Sequence, residues 1–205
     1  DRSDTHVTLT CALRDGDCGL PGNRNFSVTY RVTAPATLTM EISGNTDATT
    51  AVSFANHSYW NLDGSNTWAG HQLQVNADRY LPGTEDCYPT GEINDLADTP
   101  MDFRQMRAIS PTQDSFDNNF CLNDQSKPAL TLKGASGVTL EMATTAPGLQ
   151  IYDNKQGARP GRQVFEGLAL EAQLWPDAPN NPAFPSITLR PDQSYQQTTS
   201  WSFSS

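Results

Sequence analysis

Several short runs of this 205-residue chain alternate between polar and hydrophobic residues with a period of two. In residues 37–43 (TLTMEIS), for example, every second residue is hydrophobic. A period of two places alternate side chains on opposite faces of a strand, so one face can be buried while the other meets water. The same pattern recurs in residues 7–13, 27–33, 138–143 and 200–205. Because no run shows the 3.6-residue period of an amphipathic helix, the pattern predicts an all-β fold with antiparallel sheets.

Turn-forming residues separate the alternating runs. The chain contains 14 glycines and 14 prolines, and most of them lie between the predicted strands. The length suits a single large domain, and no repeat or linker divides it, so we expect one β-sandwich domain over residues 1–205. Residues 61–91 and 175–185 lose the alternation but keep several aromatic side chains. Long aromatic loops over a sheet are a common way to build a concave binding site.

The charge balance excludes two classes of partner. The chain has 13 Lys and Arg against 23 Asp and Glu, a formal net charge of −10. Nucleic acids and anionic membrane surfaces select basic patches, so we expect neither as a partner. No stretch approaches the ~18 to 20 consecutive apolar residues of a membrane-spanning helix. We therefore expect a soluble protein.

The four cysteines bear on metals and on the cellular compartment. Cys11, Cys18, Cys87 and Cys121 show no metal-ligand spacing, so no metal site is expected. Cys11 and Cys18 flank a turn rich in Gly and Asp, and we expect them to form a disulfide if the protein is exported. A Cys87–Cys121 bridge and four unpaired, buried thiols are the alternatives. The cysteines, together with a lysine count of only three, favour a periplasmic or extracellular location over the cytoplasm.

Two residues are candidates for acid–base chemistry. His57 lies in residues 56–62 (NHSYWNL), directly after the apolar-rich residues 51–55. A histidine at a strand end that faces a polar loop can exchange a proton near neutral pH. Glu171 interrupts the otherwise apolar residues 167–173 (GLALEAQ), where a charge is costly to desolvate unless it is paired or catalytic. For His57 the alternative is a structural, hydrogen-bonded histidine.

A third candidate is Asp117, which lies between two aromatic residues in the segment 116–120 (FDNNF) at a predicted strand start. From the residues alone, an Asx-turn residue is the preferred interpretation. His6 and His71 lack a comparable neighbourhood, and we interpret both as structural.

Several segments carry a resemblance to a known family. They are residues 56–62 (NHSYWNL), 70–82 (GHQLQVNADRYLP), 89–93 (PTGEI), 100–104 (PMDFR), 145–150 (TAPGLQ) and 176–182 (PDAPNNP). In this order and spacing they resemble segments of the aldose 1-epimerase (galactose mutarotase) family. Each motif is weak by itself, but a collinear set over almost the whole chain is hard to obtain by chance.

The resemblance implies a fold, a reaction and three site residues. It implies a sandwich of large antiparallel sheets and an enzyme that interconverts the α and β anomers of aldohexoses without a cofactor. By resemblance, His57 is the general acid, Glu171 the general base and Asp117 a carboxylate that holds sugar hydroxyls. A carbohydrate-binding β sandwich without catalysis is the alternative function, although a binding module has no need of an acid and a base.

Members of the family are longer than this chain, which resembles their C-terminal two thirds. The family also uses an arginine and a second histidine, which we expect from a segment preceding Asp1 or from a second chain. On this interpretation His57, Asp117 and Glu171 meet in one cleft that has an open side, and a strand edge and an apolar face are exposed.

Overall fold

The computed structural model describes residues 1–84, 88–124, 126–157 and 160–205. Within those ranges the chain forms sixteen strands and two short 3-10 helices (Asp17–Gly19 and Ala178–Asn180), and none of its helices is long and apolar enough to cross a membrane. The strands are β1 (His6–Leu13), β2 (Arg24–Thr33), β3 (Thr37–Thr46), β4 (Thr50–Ala51), β5 (Tyr59–Trp60), β6 (Gln72–Val75), β7 (Ala77–Leu81), β8 (Asn94–Asp95), β9 (Arg107–Ala108), β10 (Asp117–Leu122), β11 (Leu130–Lys133), β12 (Thr139–Thr144), β13 (Gly148–Tyr152), β14 (Leu168–Gln173), β15 (Thr188–Leu189) and β16 (Tyr195–Ser204).

The strands form two large sheets, and all of their pairings are antiparallel. The first sheet has eight strands in the order β1-β2-β3-β16-β12-β11-β6-β9. The second has six strands in the order β5-β14-β13-β10-β7-β8, and β15 pairs with β4 separately. The predicted all-β, antiparallel fold class is therefore confirmed.

One hydrophobic core lies between the two large sheets. In β12, Leu140 and Met142 are fully buried while Glu141 between them is exposed, as the period-two pattern predicts. Burying a side chain of this size contributes about 1.5 to 3 kcal/mol. Side chains from both sheets share this core; the eight-stranded sheet contributes Leu73, Leu132 and Trp201, and the six-stranded sheet contributes Phe120, Ile151 and Leu170.

The predicted strands agree with β1, β2, β3, β12 and β16, but the prediction of one long loop over residues 61–91 is wrong. That segment contains β6 and β7, separated by Asn76. Each is too short for a periodic pattern to stand out. They form because β11 and β10 supply hydrogen-bonding partners, and because Leu73 and Val75 are buried in the core. Residues 175–185 do form a loop, with a single 3-10 turn.

The core does not extend to the end of the eight-stranded sheet. β1 is an edge strand, and its Val7 and Leu9 are 38% and 57% exposed. Val32 on the neighbouring β2 is 59% exposed. The expected strand edge and apolar face are therefore both present at β1 and β2.

The expected disulfide between Cys11 and Cys18 is not formed; both are exposed free thiols. β1 continues past Cys11 to Leu13, and its residue opposite Cys11 is Phe26. Cys18 lies beyond the end of β1, in the 3-10 helix Asp17–Gly19. Cys11 and Cys18 are therefore not paired across the hairpin. The cysteines therefore no longer support a periplasmic or extracellular location.

The alternative cysteine pair involves a residue outside the described ranges, Cys87. Its suggested partner Cys121 is a buried free thiol in β10. Burial raises the pKa of Cys121 to about 12, so this thiol stays protonated and unreactive at neutral pH.

Candidate active site

A row of polar side chains crosses the outer face of the six-stranded sheet, the face turned away from the core. It consists of Asn119 in β10, Gln150 in β13 and Glu171 in β14, and we call it the polar row. Register sets the row, because Asn119 pairs with Gln150 and Gln150 pairs with Glu171. Neighbours along the strands, such as Phe120 and Leu170, point to the opposite face and into the core.

Asp117 lies on the same face, two residues before Asn119 and opposite Tyr152. Its Oδ1 accepts a hydrogen bond of 3.0 Å from Nε2 of Gln150. The carboxylate is therefore tied to the polar row across two strands. This contact favours a role in the site over the alternative of an Asx-turn residue.

A cavity of about 280 Å³ lies over these side chains. Ligand pockets for drug-sized molecules span roughly 300 to 1,000 Å³, so this one suits a small ligand. Among the described residues that line it there is no arginine. Its floor is formed by Asp117, Asn119, Gln150 and Glu171. Its other lining residues include Leu81 at the end of β7, and Gly83, Pro89 and Pro176 from two loops.

His57 is not among the residues that line this cavity, but it contacts Glu171, which is. Nε2 of His57 is 3.3 Å from Oε1 of Glu171. The side chain of His57 is 52% exposed and that of Glu171 only 12%, so one partner faces solvent and the other is almost enclosed. The pair can therefore offer a proton donor and a proton acceptor to the same small ligand.

The position of His57 follows from the pairing of β5 with β14. Tyr59 pairs with Ala169, and the same register continued by two residues places His57 opposite Glu171. His57 is not at the end of a strand over residues 51–55, as the sequence suggested, because only Thr50–Ala51 is strand there. It precedes β5 in an extended segment.

The contacts of β5 on the two faces of the sheet differ. On the outer face the ring of Tyr59 lies 5.2 Å from that of His57. On the inner face Trp60 packs against Trp201 and Phe203 of the eight-stranded sheet, with centroid distances of 5.9 and 5.6 Å. Gly167 leaves room for the backbone of Trp60 beside it, because a Cβ at residue 167 would lie only 3.1 Å from the carbonyl oxygen of Trp60.

The environment of Glu171 suits it to accept a proton. Burial raises the pKa of Glu171 above its ordinary value of 4.5. The neighbouring His57 opposes this shift, and the negative charge of Asp117 adds to it. A carboxylate whose pKa lies above its ordinary value is a stronger base than an exposed one, which suits Glu171 to the role of a proton acceptor.

The structure brings the three predicted site residues together, since His57 contacts Glu171 and Asp117 shares the cavity floor with Glu171. Sequence reasoning missed Asn119 and Gln150. The signal that could have found Asn119 is its spacing, because it follows Asp117 by two residues on one strand and shares its face.

His71 anchors the loop that follows β5. It is fully buried, and its Nε2 accepts a hydrogen bond of 2.9 Å from the backbone N–H of Leu62. Its Nδ1 lies 3.4 Å from Oδ2 of Asp63, whose carboxylate also accepts bonds from the backbone of residues 135 and 136. These contacts are consistent with the structural role expected for His71.

We expect the His71 contact to weaken in acid. Burial lowers the pKa of His71 in the folded protein, although Asp63 partly opposes the shift. The unfolded chain, with a pKa of about 6.5, then binds more protons below that pH. The contribution of His71 to the free energy of unfolding is therefore complete above pH ~6.5. Below that pH it falls by up to ~1.4 kcal/mol per pH unit.

Urea unfolding of the wild type and His71→Gln at pH 7.5 and 5.5 measures this effect. The difference in unfolding free energy between them should shrink at the lower pH. An equal difference at both pH values would contradict the assignment.

Comparison with known proteins places this chain in a family. A sequence profile described as aldose 1-epimerase matches residues 1–202. Galactose mutarotase of Rattus norvegicus is 37% identical over 207 residues, which cover 93% of this chain and 60% of the relative. Aldose 1-epimerase of Escherichia coli K12 is 33% identical over 225 residues, covering 99% of this chain and 65% of the relative.

Solved structures agree with the sequence comparison. An aldose epimerase homologue from C. elegans superposes with a TM-score of 0.92 at 28% identity, over 100% of this chain and 67% of that protein. Galactose 1-epimerase from Lactobacillus acidophilus gives a TM-score of 0.86 at 28% identity, over 100% and 64%. The chain spans about 60% of the rat relative's length. Since the profile matches nearly the whole chain, the chain belongs to the aldose 1-epimerase family.

Proposed function

We propose that this chain interconverts the α and β anomers of aldohexoses such as glucose and galactose. The observation that carries the proposal is the pair of His57 and Glu171, whose Nε2 and Oε1 atoms lie 3.3 Å apart at a small polar cavity. Anomer interconversion needs a group that removes the proton of the anomeric hydroxyl and another that protonates the ring oxygen. The two oxygens are attached to the same carbon, so the donor and acceptor must be close together.

In the proposed reaction Glu171 takes the proton of the anomeric hydroxyl while His57, as imidazolium, protonates the ring oxygen. The bond between the anomeric carbon and the ring oxygen breaks, and a carbonyl forms. Rotation about the next carbon–carbon bond turns the other face of the aldehyde to the new hydroxyl. The ring then closes as His57 takes back its proton and Glu171 returns its own to the carbonyl oxygen. Both side chains end as they began, so the steps need no cofactor.

Asp117 is proposed to hold sugar hydroxyls. Its carboxylate lies on the cavity floor and accepts a hydrogen bond from Gln150, which fixes its direction. Carboxylate oxygens accept several hydrogen bonds, so Asp117 can bind a hydroxyl as well as Gln150. By the family resemblance, an arginine and a second histidine from a segment preceding Asp1, or from a second chain, complete this sugar site.

Polarimetry tests the proposed reaction. Purified protein that contains this chain should accelerate the change in optical rotation of freshly dissolved α-glucose or α-galactose, in proportion to protein concentration. Heat-unfolded protein at the same concentration is the control. If a folded sample gives the uncatalysed rate with several aldoses, carbohydrate binding without catalysis becomes the better interpretation.

A further inference from the structure

Asn119, on the floor of the cavity, carries a buried amide that has no hydrogen-bond partner among the described residues. It is 1% exposed, and neither Oδ1 nor Nδ2 has a partner among the described residues. Oε1 of Gln150, its neighbour in the polar row, also has none there. Buried polar groups are normally paired, because leaving them unpaired costs free energy of folding. A polar group that bears this cost at a cavity floor is a candidate ligand contact.

Packing holds the Asn119 amide in place within the described part of the chain. A Cβ built on Gly148 of the adjacent strand would lie 2.5 Å from Oδ1 of Asn119 and 2.8 Å from Cδ1 of Trp175. Only glycine therefore leaves room for the amide there. The indole of Trp175 is itself fixed, since its Nε1 donates a 3.0 Å hydrogen bond to the carbonyl of Pro147.

We propose that the Asn119 amide binds a sugar hydroxyl remote from the anomeric carbon and thereby helps to select the aldose. This inference rests on the proposed function. Two strand spacings of about 4.8 Å separate Asn119 from Glu171 along the polar row. With the anomeric carbon at Glu171, the far side of the ring, which carries the hydroxyls of C3 and C4, is directed towards Asn119. The amide offers a donor and an acceptor to such a hydroxyl.

The test replaces Asn119 with leucine, which has a similar shape but no polar atoms. We expect KM for glucose or galactose to rise about 10- to 100-fold, since a site built to bind a hydroxyl depends strongly on that bond. We expect kcat to change less than about 3-fold, because Asn119 does not reach the reacting atoms. The wild type should discriminate against the 3-deoxy or 4-deoxy sugar, and the variant should lose this discrimination.

Stability separates a ligand contact from a structural role. Because the amide makes no hydrogen bond to the described residues, Asn119→Leu should leave the melting temperature unchanged or raise it. A structural amide would instead give a lower melting temperature and an unchanged preference among the deoxy sugars. Gly148→Ala provides a second variant that retains Asn119 but displaces its amide, and it should raise KM in the same way.

Asn123→Leu is the matched control, because Asn123 lies just beyond the end of β10, is exposed and bonds to Asn76 outside the cavity. It should keep wild-type kinetics.

Calorimetric titration with glucose distinguishes the two proposals. If the wild type lacks mutarotation but binds glucose more tightly than Asn119→Leu does, the catalytic function fails and this inference stands. If the wild type is active and Asn119→Leu matches it on every sugar, only this inference is wrong. A wild type that neither binds nor reacts overturns both.

Discussion

Glu171→Gln is expected to lower kcat for mutarotation by about 10²- to 10⁴-fold, the range typical of a lost general base. Glutamine keeps the shape of the side chain and can still hydrogen-bond, but it cannot accept the proton of the anomeric hydroxyl. The KM for the sugar should change far less than kcat, since the floor of the cavity is kept. Polarimetric progress curves over a range of sugar concentrations measure both constants.

A matched control for Glu171→Gln is Glu141→Gln. Glu141 is an exposed glutamate on β12 in the other sheet, so its replacement removes one negative charge without touching the cavity. Retention of more than half of the wild-type kcat in Glu171→Gln would remove this residue from the mechanism.

His57→Asn is expected to lower kcat by about 10²-fold, because asparagine cannot donate a proton to the ring oxygen. It should also change the pH dependence of the remaining activity. His57 lowers the pKa of Glu171, so without the histidine that pKa rises further above its ordinary value. The acid side of the pH profile of kcat/KM should therefore move to higher pH in the variant.

His6→Asn is the control for this profile, since His6 lies on the edge strand β1 and its nearest carboxylate is Asp1. Its profile should match the wild type. An unchanged acid limb in His57→Asn would show that the histidine does not act on the ionisation of Glu171.

Much of the architecture could be predicted from the sequence because long strands display their periodicity. β3 and β16 have ten residues each, enough for several hydrophobic positions to align on one face. β6 and β7 have four and five, and their existence depends on partners that are distant in sequence. The expected disulfide failed for a related reason, because seven residues of separation say nothing about where a hairpin turns.

The candidate site was predictable only in part. Glu171 stands out in the sequence because a charge in an apolar strand demands an explanation. Asn119 and Gln150 show no such contrast, since amides are common in this chain. They become neighbours of Glu171 only through the register of three strands, which is a property of the assembled sheet.

The alignment of His57 with Glu171 depends on a strand pairing of only two residues. A slip of one residue between β5 and β14 would turn His57 to the opposite face of the sheet. Trp60 holds this register, because its contacts with Trp201 and Phe203 lie on the face of the sheet opposite to the cavity. The hydrophobic core therefore determines whether His57 faces Glu171. Substitutions at these aromatic positions are expected to abolish the proposed reaction even though every residue that lines the cavity remains unchanged.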